Sequence, residues 1–367
     1  MPRVLIAANS TWNIKNFRMP IIRELVRQGY EIVTTSPDPE GIELDGSKLP
    51  HRQCEMHRST TNPLRDVAYI AKLMTIFAKE RPSLFLSFTI KPNIYGATVC
   101  RLRRVPAIPN VSGLGTTFLG SSALKRIVTA MYRFSFRSAA KVFFQNRDDS
   151  DLFIEARLIE PDQARIVPGS GVDLDHFAPA ALPVATHFLM VSRLLGDKGV
   201  REYVAAAREL KKRRPDASFS LIGELDSENP TAISSSEVEE WAREGVVRYL
   251  GSSDDVRPFI EEASAVVLPS YREGLPRTLL EAAAMARPLI AADVPGCREV
   301  VREGITGFLC KPRDKVSLVA AMERHAAASH DERSAMGARA RAMAEQEYHE
   351  GLVVAAYMDA IGGLSLA

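Results

Sequence analysis

The sequence predicts an α/β protein of two Rossmann-like domains facing across a cleft, and three observations carry that prediction. Short β-branched or aromatic runs alternate with amphipathic helical patterns along nearly the whole chain, which is the pattern of parallel βαβ units. The alternation comes in two series, separated by a stretch dense in glycine and proline between Pro168 and Pro183. The length of 367 residues exceeds one ordinary core but suits two domains of about 150 to 200 residues each.

In the first series, strands are predicted at Arg3–Ala8, Glu31–Thr35, Leu84–Phe88, Ala107–Val111 and Lys141–Gln145. Helices are predicted at about 17–28, 63–80, 93–103, 123–138 and 148–156. Gly29-Tyr30 caps the first helix and opens the next strand. In the second series, strands are predicted at His187–Val191, Phe219–Ile222, Val247–Leu250, Ala265–Leu268, Leu289–Ala292 and Gly307–Cys310. Helices are predicted at about 200–213, 235–243, 256–262, 277–286, 296–303 and 315–328, and the tail from Asp331 to Ala360 reads as helix without strands. These patterns give a first domain over 1–168, a linker over 169–183 and a second domain over 184–348. A C-terminal helix at about 349–367 is expected to pack back on the first domain.

Composition narrows the class. Hydrophobic content of 46% and charged content of 25% are ordinary for a globular chain. Cys54, Cys100, Cys297 and Cys310 are scattered with no CxxC, which argues against a zinc site or a disulfide framework and suits a reducing cytoplasm. Val4-Leu5-Ile6-Ala7-Ala8 is too short for the apolar core of a secretion signal and is read as a strand. The most apolar helical stretch, Val67 to Ala78, is broken by Lys72 and falls short of a membrane span. The net charge of +2 hides an asymmetry: residues 1–170 hold 24 Lys/Arg against 15 Asp/Glu, a balance of +9, and the remainder 23 against 30, or −7. A basic first half suits an anionic surface or ligand, and it equally suits helix faces that merely differ in solvated charge.

Open α/β sheets bind ligands at the carboxyl ends of their strands, so residues just past strand ends come first. Pro269-Ser270-Tyr271-Arg272-Glu273-Gly274-Leu275-Pro276 joins an apolar strand to a helix that carries Glu281. Gly274 and Pro276 shape a tight turn whose backbone N–H groups suit an anion or sugar hydroxyls. By themselves, Glu273 fits equally as a partner of the helix dipole and Glu281 as a surface residue. Ser192-Arg193-Leu194 ends the first strand of the second series, and Lys198-Gly199 follows before a helix. A planar guanidinium fork and a compact ammonium are a sensible pair for a diphosphate. No Asp-x-Asp closes a strand there, so cations and a helix terminus are expected to neutralise charge without a metal ion or other cofactor.

Glu273-x7-Glu281, Ser192-Arg193-Leu194-x3-Lys198-Gly199, Pro168-Gly169-Ser170-Gly171-Val172-Asp173 and Glu303-Gly304-x2-Gly307-Phe308-Leu309 together resemble glycosyltransferase family 4. The resemblance implies the GT-B fold, a nucleotide-diphosphate-sugar donor with UDP as the usual nucleotide, retention of anomeric configuration and no metal requirement. Carried over residue by residue, it implies that Glu273 bonds the donor sugar and Glu281 the ribose hydroxyls, with Arg193 and Lys198 on the diphosphate. Gly274, Leu275, Pro276 and Thr278 would support sugar or phosphate, Leu279 would pack near ribose and base, and Ser192, Gly223, Glu224 and Tyr249 would border the donor.

The first half resembles a narrower branch, bacterial transferases that build polyprenyl-diphosphate-linked oligosaccharides, among them those adding N-acetylgalactosamine to a bacillosamine-type carrier. Trp12-Asn13, Asn16-Phe17-Arg18, Phe88-Thr89-Ile90-Lys91-Pro92-Asn93 and Asn110-Val111-Ser112-Gly113-Leu114-Gly115 carry it. The acceptor, a lipid-diphosphate-linked saccharide, would then meet Asn13, Asn16, Arg18, Gly113, Gly115 and Thr116. The chain departs from the family in lacking a Gly-Gly pair after the first strand. Lys91 stands near where a histidine often contacts the donor sugar, which leaves its catalytic role open; Asn16 reads equally as a helix cap. The segment 123–138 mixes basic and aromatic residues, so it reads either as a peripheral contact with an anionic membrane or as a helix packing its aromatics inward. No GxGxxG follows the first strand, which argues against a dehydrogenase. A sugar-nucleotide epimerase of the same fold and a non-catalytic sugar-nucleotide-binding protein are the alternatives to a hexosyltransferase. Donor incubated alone separates an epimerase, which interconverts it, from a transferase, which needs an acceptor.

Overall fold

A computed structural model describes residues 1–367 except 57–62, 115–121, 228, 365 and 367, and at 63 and 122–125 the backbone alone. The chain divides into two compact units, Met1–Ser170 with Glu350–Ala367, and Gly171–His349.

The first unit is built on a parallel seven-stranded sheet. Its order from edge to edge is His51–Gln53, Glu31–Ser36, Arg3–Ala7, Leu84–Phe88, Ala107–Val111, Val142–Phe144 and Ala164–Ile166. Parallel neighbours need crossovers, and the helices that supply them cover both faces, so the central strands are buried along their length. Alternate side chains therefore feed two cores. Leu5, Phe85 and Phe144 meet the helices Pro63–Glu80, Ala97–Arg103 and Ser122–Phe136 on one face. Val4, Ile6, Leu84 and Leu86 meet Met19–Arg27 and Glu350–Gly362 on the other. The C-terminal helix is locked there by Tyr357, whose ring lies 4.4 Å from that of Phe143 and whose hydroxyl accepts from Asn110 Nδ2 at 3.0 Å.

The second unit is a parallel six-stranded sheet in the order Arg248–Tyr249, Ser218–Ile222, His187–Val191, Ala265–Leu268, Leu289–Ala292, Gly307–Cys310. Counted within each unit, the second sheet runs 3-2-1-4-5-6 and the first 3-2-1-4-5-6-7, the doubly wound order with one added edge strand in the first. In both, the first and fourth strands lie side by side where the winding reverses.

Of the expected linker 169–183, residues 171–183 group with the second unit, and arginine side chains donate to several carbonyls of this proline-rich stretch. Arg287 is fully buried and donates to the carbonyls of Ala180 (2.9 Å), Ala181 (3.0 Å), Ile260 (2.8 Å) and Glu261 (3.0 Å). Burial lowers its pKa to about 10. Arg341 donates to Phe177 O at 3.0 Å, and His330 lies 3.1 Å from Leu182 O.

Local features also depart from the sequence pattern. A helix Thr11–Phe17, absent from the expected set, opens on Ser10, whose hydroxyl accepts from Asn13 N at 3.1 Å. The next helix restarts at Met19 with Pro20 in its first turn, where a missing N–H costs nothing. The three-residue strands His51–Gln53 and Ala164–Ile166 are too short to show a period of two.

Replacing Arg287 with Met removes four hydrogen bonds to main-chain carbonyls, each worth about 1 kcal/mol net. The urea midpoint of the R287M chain is expected to fall by the equivalent of about 3 kcal/mol or more; an unchanged midpoint contradicts the clamp.

Candidate active site

In the second unit two loops leave adjacent strand ends at the switch point. From His187–Val191 the chain runs through Ser192–Leu195, a 3-10 turn at Gly196–Lys198 and Gly199 into the helix Val200–Arg213. From Ala265–Leu268 it runs through Pro269–Pro276 into the helix Arg277–Ala284. The loops are in backbone contact: Tyr271 N donates to Asp197 O at 2.9 Å. Gly199 has φ +76°, and a Cβ there would stand 2.3 Å from Pro269 O, so only glycine permits this approach. On the far side, Gly296 has φ +81°, and a Cβ there would stand 2.2 Å from Gly274 O. The loop that carries Glu273 thus meets a glycine at two points, Gly199 against Pro269 and Gly296 against Glu273–Gly274.

The contact brings two expected site residues together. Lys198 Nζ donates to Glu273 Oε1 at 2.5 Å, with the side chains 23% and 13% exposed. Two further cations sit with carboxylates. Arg193 Nη1 lies 3.1 Å from Asp226 Oδ2 on a more open surface, and Arg277 Nε donates to Glu281 Oε1 at 2.8 Å. Glu281 is not the surface residue that one reading of the sequence allowed: burial raises its pKa, with Arg277 pulling the other way.

The neighbouring strand ends complete the rim. Ser192 N donates to Ile222 O at 3.0 Å and Leu194 N to Glu224 O at 2.9 Å. Gly223 N donates to Gly251 O at 2.9 Å, and Tyr249 Oη donates to Gly223 O at 2.9 Å. Thr278 Oγ1 donates to Val191 O at 3.2 Å, tying the start of its helix to the central strand. Gly274, Leu275 and Pro276 are buried at the turn. Leu279 has no exposure and packs in the core, where it supports the helix from behind.

In the first unit the corresponding strand ends carry a quieter set. Lys91 Nζ donates to Asp66 Oδ1 at 2.8 Å, both side chains 17% exposed. Arg18 is 3% exposed, with its guanidinium carbon 3.9 Å from the centre of the Phe88 ring, so it braces the strand end. Asn13 keeps its Oδ1 buried with no hydrogen-bond partner among the described residues. Asn16 Nδ2 donates to Trp12 O at 2.9 Å, within the helix, which is a local bond rather than a cap. Gly113 lies past the end of Ala107–Val111 with φ +120°. Gly115 and Thr116 lie outside the described residues.

Sequence reasoning missed Tyr271, Gly296 and Asp226. Pro295-Gly296 was legible as a turn before a helix. Nothing local showed that this turn presses on Gly274, since that contact joins separate crossovers.

Comparison with known proteins agrees with this geometry. Residues 16–169 match a family model described as glycosyl transferase 4-like domain, and residues 185–327 one described as glycosyl transferases group 1. The chain is 25% identical to the N,N'-diacetylbacillosaminyl-diphospho-undecaprenol alpha-1,3-N-acetylgalactosaminyltransferase of Campylobacter jejuni, over 97% of each chain. It is 24% identical to the UDP-Gal:alpha-D-GlcNAc-diphosphoundecaprenol alpha-1,3-galactosyltransferase of Escherichia coli, over 71% of this chain and 70% of that one. Among solved structures, sucrose-phosphate synthase from Thermosynechococcus elongatus superposes with a TM-score of 0.80 at 19% identity, covering 99% of this chain and 98% of that one. Anabaena HepE in complex with UDP and glucose gives 0.78 at 17% identity, covering 99% and 100%. With both halves matched and both sheets in the doubly wound order, the chain belongs to the two-domain GT-B glycosyltransferases, a 4-like domain followed by a group 1 domain.

Proposed function

We propose that this glycosyltransferase moves a hexose or N-acetylhexosamine, with retention, from a UDP-sugar to a polyprenyl-diphosphate-linked saccharide in surface glycan assembly. The observation that carries the reading is the Lys198–Glu273 pair at the switch point of the second sheet. An ammonium and a carboxylate held together suit a donor whose diphosphate and sugar hydroxyls lie side by side. The names of both curated relatives support the acceptor class, since each acts on a diphospho-undecaprenol-linked sugar.

In this reading Lys198 and Arg193 take the diphosphate, Glu273 accepts from sugar hydroxyls and Glu281 from the ribose. The bond from the anomeric carbon to the phosphate oxygen breaks, its electron pair going to that oxygen. The acceptor oxygen bonds to the anomeric carbon on the same face, and its proton passes to the departing diphosphate. Charge neutralisation falls to the cations rather than to a metal. Lys91, Asn13, Asn16 and Gly113 are assigned to the acceptor side.

The polyprenyl carrier implies work at a membrane surface, on the cytoplasmic side. Among the described residues no helix is long and apolar enough to cross a bilayer. The first unit has a face that suits peripheral contact. Residues 63–137 hold twelve Lys/Arg against two Asp/Glu, and both acids are engaged, Asp66 with Lys91 and Glu80 with Arg52. The three helices on this face expose Leu64, Val67, Leu102, Ile127 and Phe134 among the cations. A cavity of about 660 Å³ beside Pro63–Glu80 is lined by Arg52, Arg65, Lys72 and Lys79. Anionic lipid answers both features, at about 1 kcal/mol for each cation near the surface.

Three outcomes test the proposal. Lys198→Ala and Arg193→Ala are each expected to lower turnover about 100-fold or more, the scale of losing one preorganised donor; near wild-type turnover in both rejects the assignment. Glu281 accepts from ribose hydroxyls more strongly when ionised, and burial raises its pKa above the usual 4.5, so UDP affinity should fall with acidification at a pH above that value. E281Q should lose that acid limb, and an unchanged limb in E281Q removes Glu281 from the nucleotide. In co-sedimentation the chain should bind acidic but not neutral liposomes, and K72E/K79E/R103E/R104E should abolish binding; equal, negligible binding to both lipids removes the membrane contact.

A further inference from the structure

We propose that Tyr271 is a positioning residue for the transfer site, its phenol binding Glu202 so that the Glu273 loop stays registered against the Lys198 loop. Tyr271 stands two residues before Glu273, and Glu202 lies in the first turn of the helix that follows Lys198. Two bonds from one residue therefore bracket Lys198. The backbone N–H of Tyr271 donates to Asp197 O at 2.9 Å, and its hydroxyl donates to Glu202 Oε1 at 2.6 Å. Burial, helped by Glu202, pushes the phenol pKa up to about 12, which keeps the hydroxyl a donor at neutral pH. The ring is held from outside by Arg313, whose guanidinium carbon lies 4.5 Å from its centre.

Glu202 has no other evident task. Its second oxygen, Oε2, is buried with no hydrogen-bond partner among the described residues, an arrangement that costs stability. A leucine would pack at such a place without that cost. The carboxylate is explained if its work is to accept the phenol. A second constraint acts on the same loop, since Thr231 Oγ1 donates to Asp197 Oδ1 at 3.1 Å and Gly196 N donates to Thr231 O at 2.6 Å. The turn carrying Lys198 is thus fixed from both sides, by Thr231 and by Tyr271.

A purely packing role for Tyr271 is met equally by phenylalanine, which keeps the ring and the Arg313 contact, so Tyr271→Phe is the discriminating variant. The inference rests on the transfer reading for its kinetic arm, and hydrogen exchange on the full-length chain supplies an arm that needs no substrate. With UDP-N-acetylgalactosamine and an undecaprenyl-diphosphate-linked acceptor, Y271F should lower kcat about tenfold with donor KM within about twofold, the pattern of misplaced rather than lost contacts. E202L should match Y271F, the double variant should be no worse than either, and E202Q, which keeps an acceptor, should lose about threefold or less. Exchange of the amides at Asp197–Gly199 and at Tyr271–Gly274 should rise together in Y271F. Wild-type kcat in Y271F, additive losses in the double variant, or unchanged exchange at Asp197–Gly199 would each overturn the proposal. A wild-type chain inactive with this donor and acceptor counts against the transfer reading alone, and the exchange result then decides the role of Tyr271.

Discussion

The contact on which the rest of the second unit's chemistry depends is the pairing of Lys198 with Glu273 across two loops that leave adjacent parallel strands. Strand neighbours are about 4.8 Å apart, so side chains from consecutive loops meet only if the loops themselves run in backbone contact. Here they do, and the cost is borne in sequence: Gly199 and Gly296 stand where any side chain would overlap a carbonyl. A β-branched residue at either position would push the loops apart and separate the pair. The geometry is therefore written as much in what is missing from the side chains as in the two charges.

Three cations of this region, Lys198, Arg193 and Arg277, are each held by a carboxylate. Partly buried charges are costly unless compensated, and intramolecular carboxylates supply that compensation. In the proposed transfer, a diphosphate would meet cations already oriented, and Glu273 and Glu281 would turn to sugar and ribose hydroxyls. Such preorganisation places charge stabilisation without reorganisation during the reaction.

Much of this was legible in the sequence because the relevant signals are local. Apolar runs of four to six residues between helical patterns announced the sheets, and Glu273, Glu281, Arg193 and Lys198 were singled out by their places after strands. What escaped was non-local or too short to carry a period. The strand His51–Gln53, the Arg287 clamp on residues 180–181 and the pressure of Gly296 on Gly274 all join segments distant along the chain. The burial of Arg18 and Leu279 was not legible either, because a strand end or helix start fixes where a backbone lies and not whether the side chain turns inward. The proline-rich stretch after Gly171 misled in a different way. Its density of glycine and proline reads as a hinge or linker, whereas Arg287 and Arg341 bond its carbonyls from the second unit.

The account stands or falls on whether the cationic loops themselves hold a nucleoside diphosphate. Calorimetric titration of UDP into the purified chain, with a chelator present to remove divalent ions, measures that directly. Saturable one-to-one binding that survives chelation is the result the account requires. Binding that appears only when a divalent ion is restored, or none at all, would contradict it.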